Sequence, residues 1–256
     1  MSPTDFLAAF KFRPDLADYV GIEIEGFLRD QETGLVVPRA AEFLDGMRLT
    51  TWGYELSAAQ VEFRTRPLAS FGQIKDELDD CFREGDRRAN ELGLAISYDE
   101  VGSADMPLEV YPHVSRYRAI AERLSEAQLR AACRVAGIHM HWGIRDWTHA
   151  IQVYSRLRKH LPKLIAMGDG SGGERLRLYH EVAARRDPPE LQSPMDLIRE
   201  ATAGGFLGNP RDCWWLLRVS TYGTVEVRVF GTTRDVSKIM SWVRTISEIA
   251  NPGTHW

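Results

Sequence analysis

Residues 20–27 read Val-Gly-Ile-Glu-Ile-Glu-Gly-Phe, an order that few backbone arrangements accommodate. Apolar residues at every second position predict a β-strand, because successive strand side chains point to opposite faces. Val20, Ile22 and Ile24 then share a buried face. Glu23 and Glu25 stand together on the other, about 7 Å apart along the strand. Neighbouring carboxylates repel, and each favours hydration or protonation over packing. Either that face is open to water, as one face of many antiparallel sheets is, or a cation sits between the two groups.

The same division of faces recurs at three distant places. In 59–66, Val61 and Phe63 point to the core while Gln60, Glu62, Arg64 and Arg66 share the opposite face. In 135–144, Ile138, Met140, Trp142 and Ile144 alternate with Gly137, His139, His141 and Gly143. A lone histidine is usually structural, but two on one face with glycines beside them leave room for a metal or an anion. In 221–230, Val225, Val227 and Val229 go inward and Thr224, Glu226, Arg228 and Phe230 outward. On one antiparallel sheet, Glu23, Glu25, Glu62, Arg64, His139, His141, Glu226 and Arg228 would share a single surface. Carboxylates with imidazole suit Mg²⁺ or Mn²⁺, and interleaved arginines suit phosphate or a substrate carboxylate. Phosphoryl transfer needs that combination. The plainer alternative is a set of unrelated solvated faces with ion pairs such as Glu62 with Arg228.

The remaining segments supply the covering layer. Residues 2–19 form a short helix or an irregular lead-in. A polar turn at 30–34 predicts a hairpin returning through Leu35, Val36 and Val37, and Pro38 starts a brief helix. Ser70 is placed to cap a long helix, with Phe71, Ile74, Leu78, Cys81, Phe82, Ala89 and Leu92 at helical spacing. A strand at 94–98 precedes a breaker-rich loop at 99–112. Helices are expected at 114–124, 126–132, 147–167 with a break at Pro162, 174–186, 193–203 and 236–250. The glycine-rich run 168–173 lacks the order of a phosphate-binding loop and reads as a mobile loop or a lid. Strands separated by helical runs, with hairpins at both ends, give an α+β fold: an antiparallel sheet with helices packed on one face. With no repeat or linker, residues 1–256 read as one catalytic domain, 1–18 a lead-in and 19–250 its core.

Composition narrows the function. The net charge of −4, with both signs well mixed, carries no nucleic-acid footprint. No N-terminal apolar signal region and no membrane-length apolar run occur. Cys81, Cys133 and Cys213 are widely spaced and odd in number, which points to a reducing, cytoplasmic compartment.

Four segments in one order also resemble the glutamate–cysteine ligase family, in its carboxylate–amine ligase branch with a glutamine-synthetase-like catalytic sheet. They are Gly21-Ile22-Glu23-Ile24-Glu25, the run from Glu55 to Gln60-Val61-Glu62, Gly137-Ile138-His139-Met140-His141-Trp142-Gly143, and the tract 213–235 with Trp214-Trp215, Arg218, Glu226 and Arg228. The resemblance implies ATP-dependent amide formation: a substrate carboxylate is phosphorylated by ATP, and an amine displaces phosphate. Carried over residue by residue, it makes Glu23, Glu25, Glu55, Glu62, His139 and Glu226 ligands of Mg²⁺, with Mn²⁺ the alternative ion. Arg64, Arg218 and Arg228 would contact phosphates or the substrate carboxylate, and His141 would act beside the ligands. Glu55 enters through the resemblance alone, since its local pattern does not orient it. The implied partners are a small-molecule acid, glutamate or another amino acid, and an amine. Many relatives continue beyond the closing helix, and a second protomer of a homo-oligomer is one way to supply the missing wall. Leu216 stands where relatives often carry an acidic residue. Two other classes remain: a phosphotransferase on the same sheet, and a non-catalytic binding paralogue.

Overall fold

The alternation at residues 20–27 is the middle of a long strand in the computed structural model, which describes residues 1–48, 50–183 and 187–253. Along the chain, the first elements are α1 (Pro3–Ala8), β1 (Val20–Asp30), α2 (Ala40–Leu44), β2 (Trp52–Tyr54), β3 (Gln60–Arg64), α3 (Phe71–Glu91) and β4 (Leu94–Ser97). Next come α4 (Ser115–Ala121), α5 (Glu126–Arg134), β5 (Gly137–Gly143), α6 (Trp147–Lys159), α7 (Leu161–Gly168) and α8 (Glu174–Val182). Then follow α9 (Pro194–Gly204), β6 (Leu217–Ser220), β7 (Thr224–Gly231) and α10 (Val236–Ala250).

The strands form one antiparallel sheet in the order β2-β3-β1-β5-β7-β6, and β4 pairs with the far end of β1. Its apolar face carries Val20, Ile22, Ile24, Val61, Phe63, Ile138, Met140 and Trp142, all buried. Helices α3, α6, α7 and α10 cover this face with Ile74, Leu78, Phe82, Val153, Leu164, Ile239, Trp242 and Val243. Each such side chain contributes about 1.5–3 kcal/mol by leaving water. The expected α+β fold, an antiparallel sheet with helices packed on one face, is the observed one.

Local sequence fixes most element ends. The Ser70 hydroxyl accepts the Gln73 amide at the start of α3, Asp235 does the same for Lys238 at α10, and Ser193 with Asp196 makes a capping box at α9. The expected helix over 147–167 breaks at His160, one residue before Leu161-Pro162 opens α7. The helix expected over 174–186 runs to Val182, and 184–186 lie outside the described residues.

Three expectations are corrected. Residues 35–37 do not form a return strand; a single bridge joins Arg29 to Val36, and the neighbours of β1 come from farther along the chain. The glycine-rich run 168–173 is tied down rather than free. Asp169 accepts hydrogen bonds from the Ser171 hydroxyl (2.6 Å) and the Gly173 amide (2.6 Å), and Glu100 accepts from the Gly170 amide (2.8 Å). Phe230 does not face outward. The β5–β7 register slips between Ile138 and Met140, so that Phe230 pairs with Ile138 and Val227 with Met140. That bulge inserts one residue, reverses the alternation, and stacks Phe230 on Trp242 of α10 at 4.7 Å between ring centroids.

Candidate active site

Register brings the polar residues of the other face into rows. Glu23 stands between Arg64 on β3 and His139 on β5. Glu25 stands directly opposite Glu62. His141 pairs with Glu226, which pairs with Arg218 on β6. Glu23, Glu25, Glu62, Arg64, His139 and Arg218 line a cavity of about 400 Å³ that also takes in Glu55 and Arg228, while Glu226 is fully buried behind Arg218 and Arg228. Arg116, Tyr117 and Ile120 of α4, with Tyr54 and Trp214, line it as well.

Glu55 follows β2, in a segment held from both sides. The Ala58 amide donates to the Glu109 carbonyl (2.8 Å) and the Tyr111 amide to the Leu56 carbonyl (2.9 Å). This strap, made by the loop at 99–112, aims Glu55 at Glu25 and Glu62, and one oxygen from each of the three lies within 4.8 Å of the others. A second group at the same spacing joins Glu23, His141 and Glu226. His139 sits between the two, its Nδ1 3.3 Å from Glu23 Oε2 and its Nε2 3.6 Å from Glu25 Oε1.

Electrostatics separate these carboxylates. Burial pushes Glu226 up, but Arg218 and Arg228 outweigh it and hold the group well below the usual carboxylate range. Arg218 donates from Nε (2.7 Å) and Nη2 (3.1 Å), and Arg228 adds Nη1. Burial likewise opposes ionisation of Glu23, and the charge of His141 with hydrogen bonds from His139 and His141 overcomes it. Glu25 and Glu55 are raised chiefly by burial, while Glu62 is raised furthest, by burial and then by repulsion from Glu23 and Glu55. His141 is raised: burial opposes its charge, and Glu23 and Glu226 favour it more. The Glu62–Arg228 ion pair of the plainer reading does not form; Arg64 Nε lies 3.4 Å from Glu62, and Arg228 turns to Glu226.

A sequence model described as glutamate–cysteine ligase family 2 matches residues 19–171, more than half of the chain. The chain belongs to that family. It is a family of ligases, so the expected enzyme class stands. Among its relatives, a protein of Gloeobacter violaceus with the provisional name glutamate–cysteine ligase 2 is 24% identical over 264 residues. That match covers 93% of this chain and 69% of the relative. A similarly named glutamate–cysteine ligase 2-3 of Rubrobacter xylanophilus is 27% identical, over 82% of this chain and 62% of its own length. The chain thus spans about two thirds of these curated relatives. A bifunctional glutathione synthetase from Pasteurella multocida shares the fold with a TM-score of 0.63 at 12% identity, over 97% of this chain and 40% of that one.

The donors present in this family member fit a divalent cation. Two compact groups of oxygen and nitrogen atoms lie on one face of the sheet on either side of His139, and His141 Nε2 points at Glu23 Oε2 from 3.5 Å while Nδ1 is fixed by Thr224 Oγ1 at 2.8 Å. Nearby arginines do not outweigh burial at Glu25, Glu55 and Glu62 as they do at Glu226, so these three carboxyls stay raised, which is the setting a hard cation suits. All residues inferred from sequence therefore meet in one place. His141 is the one whose position differs most from expectation, because it joins a ligand group directly. Sequence reading missed Tyr54, Arg116 and Tyr117, which lie on β2 and α4 and carry no periodic signal. It also missed the function of Gly53, where a Cβ would stand 2.7 Å from Arg64 Nη2.

Proposed function

We propose that this chain carries the active site of an ATP- and Mg²⁺-dependent carboxylate–amine ligase, acting on glutamate or another amino acid. One domain with its core at 19–250 holds the whole site in this reading. The observation that carries it is the convergence of Glu23, Glu25, Glu55, Glu62 and His139 with Arg64, Arg218 and Arg228 around one cavity, with Glu226 held behind it by Arg218 and Arg228.

In the reaction, a carboxylate oxygen of the acid attacks the γ-phosphorus of ATP, and ADP leaves. The amine nitrogen then attacks the acyl carbon, phosphate leaves, and the amine proton is lost. The carboxylates and His139 would hold Mg²⁺ or Mn²⁺, which supplies neutralisation of phosphate charge. Arg228 and Arg64 stabilise negative charge on the transferring group and the acid, since a guanidinium forks onto phosphate and carboxylate oxygens. Arg218 holds Glu226 ionised and, with Arg228 and His141, faces the nucleotide phosphates. Tyr54, Tyr117, Ile120 and Trp214 wall the cavity against water.

A cytoplasmic location fits three cysteines that are buried free thiols. Among the described residues no helix is long and apolar enough to cross a membrane. The partners in this reading are small molecules, not nucleic acid.

The test is phosphate release from ATP with Mg²⁺ and pooled amino acids, with and without an added amine. A ligase releases phosphate only when acid and amine are both present. A stable phosphorylated product formed without amine replaces this reading with a phosphotransferase, and folded protein that neither binds nor turns over ATP leaves a binding paralogue.

A further inference from the structure

The glycine-rich loop and the bulge in β7 meet at a residue outside the cavity, Arg175. Its side chain is only 3% exposed. The guanidinium donates Nε to the Ala136 carbonyl (2.8 Å), Nη1 to Val229 (3.3 Å) and Nη2 to Arg228 (3.3 Å). Arg228 and Val229 are the residues of the bulge, where carbonyls leave the regular ladder and need other donors. The loop at 168–173 delivers this cation: Asp169 holds Ser171, and the Ser171 hydroxyl accepts the Arg175 amide at 3.0 Å.

Two cavity groups depend on the same junction. Arg228 follows the bulge into the site, and its Nε is buried with no acceptor, so backbone position governs where the guanidinium points. Gly137 presses against Arg175, since a Cβ there would lie 2.1 Å from Nη2, and its amide donates to Glu25 Oε2 at 2.7 Å.

We propose that Arg175 is a positioning residue: by tying the start of β5 to the β7 bulge, it aims Arg228 and the Gly137 amide at the carboxylate cluster. The loop before it is a fixed clip that presents this cation. The role of Arg228 in turnover rests on the ligase reading, whereas the tie itself does not.

The experiment uses the full chain and two variants, Arg175→Met and Arg175→Lys; lysine keeps the charge and loses the three-way fork. The first readout is the ¹H–¹⁵N spectrum of the arginine Nε groups, with the Arg228 signal assigned by its loss in Arg228→Lys. Both Arg175 variants are expected to shift that signal; a folded Arg175→Met with the Arg228 signal unmoved overturns the proposal. The second readout is a double-mutant cycle on ATP turnover. Arg175→Met is expected to lose about tenfold alone and little more in an Arg228→Lys background, because coupled residues are non-additive. Independent, multiplying losses overturn the proposal as well. Where both Arg175 variants fail to fold by circular dichroism, Gly137→Ala displaces the same guanidinium and is read in the same spectrum. Wild-type protein without turnover removes the ligase reading and leaves the spectral test decisive.

Discussion

Glu25 and Glu62 are direct partners across the β1–β3 ladder, and both are at least nine-tenths buried. Like charges at facing positions destabilise an antiparallel pair, and burial adds to the cost of ionising them. Burial raises both carboxyls first, repulsion from Glu55 adds to it at Glu25, and repulsion from Glu23 and Glu55 takes Glu62 well above the ordinary value. The fold therefore holds uncompensated carboxyls at its centre, which the proposed divalent cation would relieve.

Glu62→Gln should stabilise the ligand-free protein at pH 8 by about 0.2–1 kcal/mol, the scale of one facing like-charge pair. The same substitution should remove most of the rise in melting temperature that Mg²⁺ gives the wild type. Differential scanning fluorimetry with and without Mg²⁺ reads both effects, and an undiminished Mg²⁺ shift would remove Glu62 from the ligand set.

The pH dependence has a definite sign. Glu25, Glu55 and Glu62 bind protons more tightly in the fold than in the unfolded chain. Their contribution to stability is full below the unfolded value of 4.5 and is lost as pH rises through the raised folded values. Mg²⁺ must displace those protons, so its affinity should rise with pH across the same window. Calorimetry at several pH values, in buffers of different ionisation enthalpy, should show proton release on binding. Affinity independent of pH would contradict the raised carboxyls.

Glu25→Gln and Glu226→Gln should each abolish Mg²⁺-dependent ATP turnover while circular dichroism stays unchanged. Near-normal turnover in both removes the proposed metal centre.

Arg218→Met should cost about 3–5 kcal/mol, because it strips one partner from a fully buried carboxylate. Pairing it with Glu226→Leu should recover much of that loss. Urea denaturation of the single and double variants measures the difference, and equal stability of the two would show that Glu226 is not held by Arg218.

Phe230→Ala should cost about 3–5 kcal/mol, as a large side chain leaves the core. The Mg²⁺ response should persist, since the ring stacks on Trp242 on the helix-covered side of the sheet. Guanidinium denaturation and the Mg²⁺ thermal shift check the two halves.

The carboxylates of β1 were legible because a strand assigns faces by parity, and parity is local. The same rule placed Phe230 on the wrong face, since nothing in Thr-Val-Glu-Val-Arg-Val-Phe marks the inserted residue opposite His139. Glu55 had no parity to read; its aim comes from backbone bonds to residues 109 and 111, some fifty-five positions away in sequence. The sequence places Arg175 only within a helix over 174–186, yet its partners are the carbonyls of Ala136, just before β5, and of Arg228 and Val229 on β7.

The sequence by itself determined that strands run through 20–27, 59–66, 135–144 and 221–230, that Val20, Ile22, Ile24, Val61, Phe63, Ile138, Met140 and Trp142 are their core side, and that the ionisable groups lie opposite. These follow from periodicity and capping, whose reach is a few residues. Only the tertiary structure decided that Glu25 faces Glu62, that His141 joins Glu23 and Glu226, and that the β7 bulge turns Arg228 onto Glu226. Register between distant strands is set by the packing of whole faces against α3, α6, α7 and α10, and a one-residue slip there reverses every side chain beyond it.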